Sequence, residues 1–105
     1  MTNNIVFNVP TPIGFNVRTT RDHWETITTI KHPAMKGQED EVKRTLTDQD
    51  EIRQSRKNPE VFLFYRSQRP RRWICVVVRR LEQEGFLITT YPTDSIKEGN
   101  HIWKK

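Results

Sequence analysis

Two nearly continuous apolar runs constrain the fold of this chain more than any other feature of its sequence. They are Val-Phe-Leu-Phe-Tyr at 61–65 and Trp-Ile-Cys-Val-Val-Val at 73–78, in a chain that is only 33% hydrophobic. Short runs rich in β-branched and aromatic residues are typical of strands covered on both faces at the centre of a sheet. The segment between them contains Pro70 and predicts a hairpin connection.

The flanking segments extend this pattern in both directions. Residues 51–56 are short and polar, which predicts an edge strand, and residues 86–93 predict a fourth strand that ends at Pro92. Upstream, Asp22 followed by Glu25 is typical of a helix start, and Pro33 predicts that this helix ends near Lys31.

A second helix is predicted from the acidic residues at 39–41, with Val42 and Leu46 as its apolar stripe. The sequence therefore predicts an α+β fold in a single domain of residues 1–105, because two separate cores would each be too small. Its parts are a short N-terminal strand pair (1–20), two helices (21–47), a four-stranded antiparallel sheet (51–93) with the helices packed on one face, and a polar C-terminal tail (94–105).

Several classes of protein are disfavoured by composition. No apolar stretch is long enough to span a membrane, and the N-terminus lacks the pattern of a secretory signal, so we expect a cytoplasmic protein. The single cysteine, Cys75, lies inside an apolar run, which predicts a buried and inert thiol. The three histidines are far apart and no Gly-rich phosphate loop is present, so we expect no metal and no cofactor.

The positive charge of the chain is concentrated in one stretch. Residues 53–80 hold nine Lys and Arg against the single acid Glu60, whereas the whole chain has a net charge of +5. Eight of these nine cations are arginines, which bind phosphate through a planar fork. The stretch favours a face that binds a polyanion, although charge that protects a sheet edge from aggregation is the structural alternative.

Polar side chains that could support RNA cleavage without a metal lie at the ends of predicted elements. Such cleavage needs a base for the 2′-hydroxyl proton, an acid for the leaving oxygen, and cations for the phosphorane. His32 lies at a predicted helix end, Arg53 and Ser55 share a strand face, and Tyr65 and Tyr91 lie near strand ends. Sheet packing, backbone hydrogen bonding and a loop position are the alternatives for these residues.

The order of elements resembles that of the small ribonuclease superfamily that includes RelE-type toxins, barnase and colicin-type tRNases. Short motifs are similar to a bacterial and phage group of that superfamily, over roughly residues 23–103: Lys31-His32-Pro33-Ala34-Met35, Ile52-Arg53-Gln54-Ser55, Phe64-Tyr65-Arg66 and Ile88-Thr89-Thr90-Tyr91. The resemblance implies an active cleft formed by His32, Arg53, Ser55, Tyr65 and either Thr90 or Tyr91.

These observations favour a metal-independent endoribonuclease that cleaves RNA by 2′-hydroxyl attack, as the toxin of a toxin–antitoxin pair. His32 would be the general acid or base, and Arg53 and Arg66 would hold the phosphate. The predicted substrate contacts are Lys31, Arg66, Arg69, Arg71, Arg72 and Tyr91. The partners would be RNA and an acidic antitoxin or inhibitor protein. Two alternatives stay open: a non-catalytic RNA-binding module, and a domain whose Arg-rich face binds an acidic protein.

Overall fold

The computed structural model describes residues 4–105, which form one sheet covered by a layer of short helices. The strands are β1 (Ile5–Pro10), β2 (Asn16–Thr20), β3 (Glu51–Gln54), β4 (Val61–Arg69), β5 (Arg72–Leu81), β6 (Glu84–Thr93) and β7 (Asn100–Lys104). The helices are α1 (Arg21–Thr26), which continues as a π-helix (Ile27–Lys31), a 3-10 turn (Pro33–Met35) and α2 (Glu39–Thr47).

The sheet is larger than predicted and is mixed. Within residues 4–105 its order is β1-β2-β6-β5-β4-β3-β7, and every neighbouring pair is antiparallel except β2 with β6. The predicted four-stranded antiparallel sheet, with a separate strand pair and a tail outside it, is therefore wrong. The four predicted strands form only the centre, and β3 is not an edge strand because β7 pairs with its outer side.

Glycine at position 85 allows β2 to join the sheet. Val17 pairs with Gly85 in the parallel register, and a Cβ at Gly85 would lie 2.7 Å from the Phe15 ring and 2.9 Å from the Asn16 carbonyl oxygen. Only a residue without a side chain permits that approach. Val17 and Phe15 thereby enter the main core, so the N-terminal pair is part of the sheet.

The predicted tail is also part of the sheet. Gly99 turns the chain with a φ of +84°, and β7 then runs back along β3, with Trp103 opposite Ile52. Trp103 packs against the main core, which explains why this mostly polar segment is ordered as a strand. The tail contains the apolar pair Ile102 and Trp103, but the sequence does not show which strand this pair would join.

The sheet has a first face, which carries the helices, and a second face, which carries a smaller cluster. The sheet curls around the first-face core: α2 contacts β1, β4 and β5, and the Phe15 and Phe62 rings lie 5.6 Å apart. Val42 and Leu46 of α2 are fully buried there, as their spacing predicts. On the second face Leu63, Tyr65 and Cys75 form the smaller cluster.

Residues 94–99, here called the strap, cross the second face. They begin where β6 ends, beside the β4–β5 hairpin tip (residues 69–72), and reach β7 beside Gln54 at the opposite end of the sheet. Ile96 of the strap packs against the second-face cluster. The strap therefore covers part of the face on which Tyr65, one of the predicted cleft residues, lies.

The helix boundaries differ from the prediction in one detail and agree in another. Thr20, not Asp22, caps α1, because its hydroxyl accepts a hydrogen bond from the His23 N–H at 3.3 Å. The helical segment ends at Lys31, before Pro33, as predicted, but its last five residues are a π-helix. No helix in the part of the chain that the structure describes is long and apolar enough to cross a membrane.

Gly99→Ala tests whether the turn into β7 is as tight as the structure shows. Gly14 has a similar φ of +93° but open space around it, whereas a Cβ at Gly99 would lie 2.6 Å from the Gln54 carbonyl oxygen. We expect Gly14→Ala to lower the free energy of unfolding by about 1–2 kcal/mol, from the positive φ alone. Gly99→Ala should cost about 1–3 kcal/mol more, because backbone must move. Urea unfolding of both variants measures the difference, and equal losses would contradict the tight turn.

Candidate nucleic-acid interface

A row of three side chains crosses the middle of the second face. Tyr65 of β4 pairs with Cys75 of β5, and Cys75 pairs with Tyr91 of β6, so the three side chains lie side by side. Tyr65 is only 3% exposed and Cys75 is fully buried, while Tyr91 is half-buried at the outer end of the row. Both tyrosines therefore lie on the same face of the sheet.

Burial keeps this row protonated. It raises the pKa of the Cys75 thiol to about 11, and it raises the pKa of both tyrosine hydroxyls above their usual range, with the adjacent Cys75 as the next cause. At neutral pH the three groups are therefore neutral. They can donate hydrogen bonds, but none of them can act as a general base. The prediction of an inert Cys75 fits this chemistry.

His32 lies against the outer end of the row. Its ring centroid is 5.4 Å from that of Tyr91, and the two planes are tilted by 40°. The π-helix produces this position, because the His32 N–H donates to the Ile27 carbonyl at 2.7 Å across the wider turn. Upstream, the hydroxyls of Thr26 and Thr28 donate to backbone carbonyls four residues earlier, which weakens regular α-helix geometry. Lys31, next to His32, is exposed.

Arg53 and Ser55 lie on the second face but are already engaged. The Nε of Arg53 donates to the Glu51 carboxylate at 2.6 Å, and its Nη1 donates to the Gly99 carbonyl at 3.4 Å. The hydroxyl of Ser55 accepts the Asn58 N–H at 3.3 Å. Arg53 is thus oriented by the strap and neutralised by Glu51, rather than held ready for a phosphate.

Two predicted site residues, Thr90 and Arg66, lie on the first face. Thr90 pairs with Val76 of the main core, and as the neighbour of Tyr91 on β6 it points to the opposite face of the sheet. Thr90 is fully buried, and its hydroxyl donates to the Cys75 carbonyl at 2.9 Å. Arg66 forms an ion pair with Glu41 of α2, with 3.5 Å between Nη1 and Oε1.

The arginine-rich stretch does not form one continuous face. Three of its members pair with carboxylates: Arg53 with Glu51, Arg66 with Glu41 and Arg79 with Glu60. The cations of the hairpin tip, in contrast, form no ion pairs within the described residues. Within residues 4–105 no carboxylate lies within 4.0 Å of the three guanidinium groups of the tip, which belong to Arg69, Arg71 and Arg72.

The shape of the hairpin tip projects these charges outward. The predicted loop at 67–72 is shorter than expected, since β4 continues to Arg69 and β5 begins at Arg72. Pro70 and Arg71 alone make the turn, with Arg71 at a φ of 62°. Arg69 and Arg71 are exposed, and Arg72 is half-buried. Trp73 follows directly on the second face and packs against its cluster.

Two concave features were not found from the sequence. A cleft of about 300 Å³ lies between the β3–β4 loop and the end of the strap; it is lined by Ser55, Arg56, Lys57, Lys97, Glu98 and Gly99. A groove of about 580 Å³ opens where β2 separates from β6, and His23 and Arg18 contribute to it. The sequence showed no cleft near His23, whose Nε2 donates to the Ile88 carbonyl at 3.0 Å. Both features depend on the strand pairings that the sequence missed.

Comparison with known proteins does not assign the chain to a family. No protein-family model matches the chain, and no curated protein and no solved structure is significantly similar to it. Among residues 4–105, no three His, Cys, Asp or Glu side chains lie together in a group that could hold a metal ion.

The raised pKa of Cys75 predicts a loss of stability at high pH. The unfolded thiol ionises near pH 9, while the folded thiol keeps its proton until about pH 11. Between these values the unfolded state binds fewer protons, so the free energy of unfolding must fall as pH rises, by about 2 kcal/mol in all. In Cys75→Ala this component should disappear together with the effect of Cys75 on the tyrosine pKa values, while the effect of burial on the tyrosines remains in both proteins. Urea unfolding from pH 8 to 11 measures it, and identical pH slopes would contradict the assignment.

Proposed function

We propose that the protein binds RNA at the hairpin end of its second face. The observation that carries this proposal is the unneutralised charge of Arg69, Arg71 and Arg72, set against the ion pairs of Arg53 and Arg66 in the same stretch. Forked guanidinium groups on a narrow projection can reach phosphates of a nucleic-acid backbone. Since no carboxylate of residues 4–105 pairs with them, that charge is available for a ligand.

Aromatic side chains beside the tip support RNA as the ligand. Tyr91 and Trp73 are half-buried on the second face near the tip, and the His32 ring lies 5.4 Å from that of Tyr91. Single-stranded nucleic acid is held by cations that follow the backbone and by rings on which bases stack. An acidic protein would use the cations but would gain little from the rings, so competition with polyglutamate distinguishes the two ligands.

Removing two tip arginines should flatten the salt dependence of RNA binding. Each phosphate contact to a single strand contributes about 0.7 to the slope of log K against log salt, so Arg71→Ala with Arg72→Ala should reduce the slope by about 1.4. Fluorescence anisotropy with a labelled oligouridylate, from 25 to 200 mM salt, measures the slope.

Lys36→Ala with Arg44→Ala is the matched control for this experiment. Both residues are exposed and belong to the helical layer, and the double variant loses the same charge. Its slope should equal that of the wild type. If both double variants change the slope equally, binding follows net charge and the tip is not a site. If the wild-type protein does not bind RNA at low salt, the proposal is wrong.

Cleavage of the bound RNA is the second candidate function, and the contact between His32 and Tyr91 favours it. In this reaction the 2′-oxygen attacks the adjacent phosphorus, its proton passes to a base, and the 5′-oxygen leaves with a proton from an acid. His32 is the imidazole side chain beside the interface, so it would serve as base or acid. Tyr91, kept protonated by burial, would donate a hydrogen bond to the phosphate.

Incubation of total RNA with the protein in EDTA tests this candidate. Because water is not the nucleophile, cleavage should survive EDTA and leave 2′,3′-cyclic phosphate ends. His32→Ala should then slow cleavage by about 10²–10⁴-fold while changing RNA affinity far less. His101→Ala is the control, since His101 is exposed on β7 and pairs with Arg53 in the sheet rather than with the row. Binding without any cleavage would leave the RNA-binding module as the function.

An acidic inhibitor protein and a cytoplasmic location belong to the catalytic version of this proposal. A cytoplasmic ribonuclease must be neutralised in its own cell, and the unpaired guanidinium groups of the tip offer acidic side chains a complementary surface. The toxin role and its similarity to RelE-type, barnase and colicin-type ribonucleases rest on the sequence motifs around His32 and Arg53.

A further inference from the structure

A second group of unneutralised cations lies at the end of the sheet opposite the hairpin tip. Arg56 and Lys57 come from the β3–β4 loop, and Lys97 comes from the strap, so two distant chain segments form one cleft. Within residues 4–105 none of the three forms an ion pair. Glu98 is the one acid among the cleft residues, and the cleft therefore has an excess of two positive charges.

The polar groups of the cleft suit an oxyanion. The Ser55 hydroxyl oxygen accepts the Asn58 N–H, so its own proton remains available for donation. Arg56 is oriented by the Asn100 side chain, whose Oδ1 accepts from Nε at 3.1 Å, which leaves the terminal nitrogens of the guanidinium to bind elsewhere. The volume of about 300 Å³ admits a phosphate group with its neighbouring sugar.

We propose that this cleft binds a backbone phosphate of the same RNA strand that the hairpin tip holds, an inference that rests on the proposed function. The path between the two sites follows β4 from Val61 to Arg69, which is about 26 Å for a strand that rises about 3.3 Å per residue. The strap lies along this path, and Lys97 is part of it. A strand with one phosphate per 3.4 Å or more needs about four to eight nucleotides to connect the sites.

The dependence of affinity on RNA length tests this second contact. The probes are labelled oligouridylates of 3 and 12 nucleotides, and the variant is Lys57→Ala with Lys97→Ala. A 3-mer is too short to reach both sites, so its affinity should be the same for wild type and variant. The 12-mer should bind the variant more weakly, with the salt slope reduced by about 0.7 for the one lost phosphate contact. The Lys36→Ala, Arg44→Ala protein should bind both probes like the wild type.

Each outcome bears on one proposal or the other. If the cleft variant binds the 12-mer like the wild type, while the Arg71→Ala, Arg72→Ala protein binds it weakly, the second contact is wrong and the tip remains the site. If the cleft variant weakens the 3-mer as much as the 12-mer, the cleft acts only through net charge and the inference is again wrong. A wild-type protein that binds neither probe contradicts the proposed function itself.

A second variant separates lost contacts from lost structure. Lys57→Gln with Lys97→Gln keeps most of each side chain and removes only its charge, and both residues are exposed. It should reproduce the slope change of the alanine variant with an unchanged thermal unfolding midpoint. A normal slope in the glutamine variant would show that charge at the cleft does not contact RNA.

Discussion

The pairing of β4 with β5 is the interaction on which the rest of the structure depends. The two strands pair from Val61 with Arg79 to Arg69 with Arg72, and their side chains alternate between the two faces of the sheet. Phe62 and Phe64 point to the main core under the helices, while Leu63 and Tyr65 point to the cluster under the strap. One hairpin thus supplies both apolar layers and also projects the charged tip.

Because that hairpin dominates the sequence pattern, the centre of the fold could be predicted from it. The outer strands could not, since their apolar content is low and their pairing depends on distant residues. β2 joins β6 because Gly85 removes a side chain that would collide with Phe15, and a glycine beside a predicted turn gives no sign of that role. β7 is ordered by Trp103, whose partner Ile52 lies 51 positions earlier in the chain.

In the candidate site, too, positions that depend on neighbouring residues could be predicted, whereas those that depend on distant strands could not. Tyr65 and Tyr91 share the second face and His32 lies against Tyr91, but the sequence pattern assigned neither tyrosine to a face. Thr90 points away from Tyr91 because adjacent residues of a strand alternate between faces, so only one of these two residues could lie on the face of Tyr65. The ion pair between Arg53 and Glu51 could have been predicted from the sequence, since residues two apart on a strand share a face.

The two candidate functions make different demands on the strap. Cleavage at Tyr65 and Arg53, as the motifs imply, would require the strap to leave the second face, because Ile96 covers the cluster and Gly99 holds Arg53. Binding at the hairpin tip requires no such movement, since its arginines are already exposed or half-exposed. A catalytic role limited to His32 and Tyr91 also avoids it, because both lie at the outer end of the row. Of the two proposed functions, RNA binding along the outside of the strap is therefore the one that needs no rearrangement, and the proposed cleavage avoids it only at the edge where His32 lies.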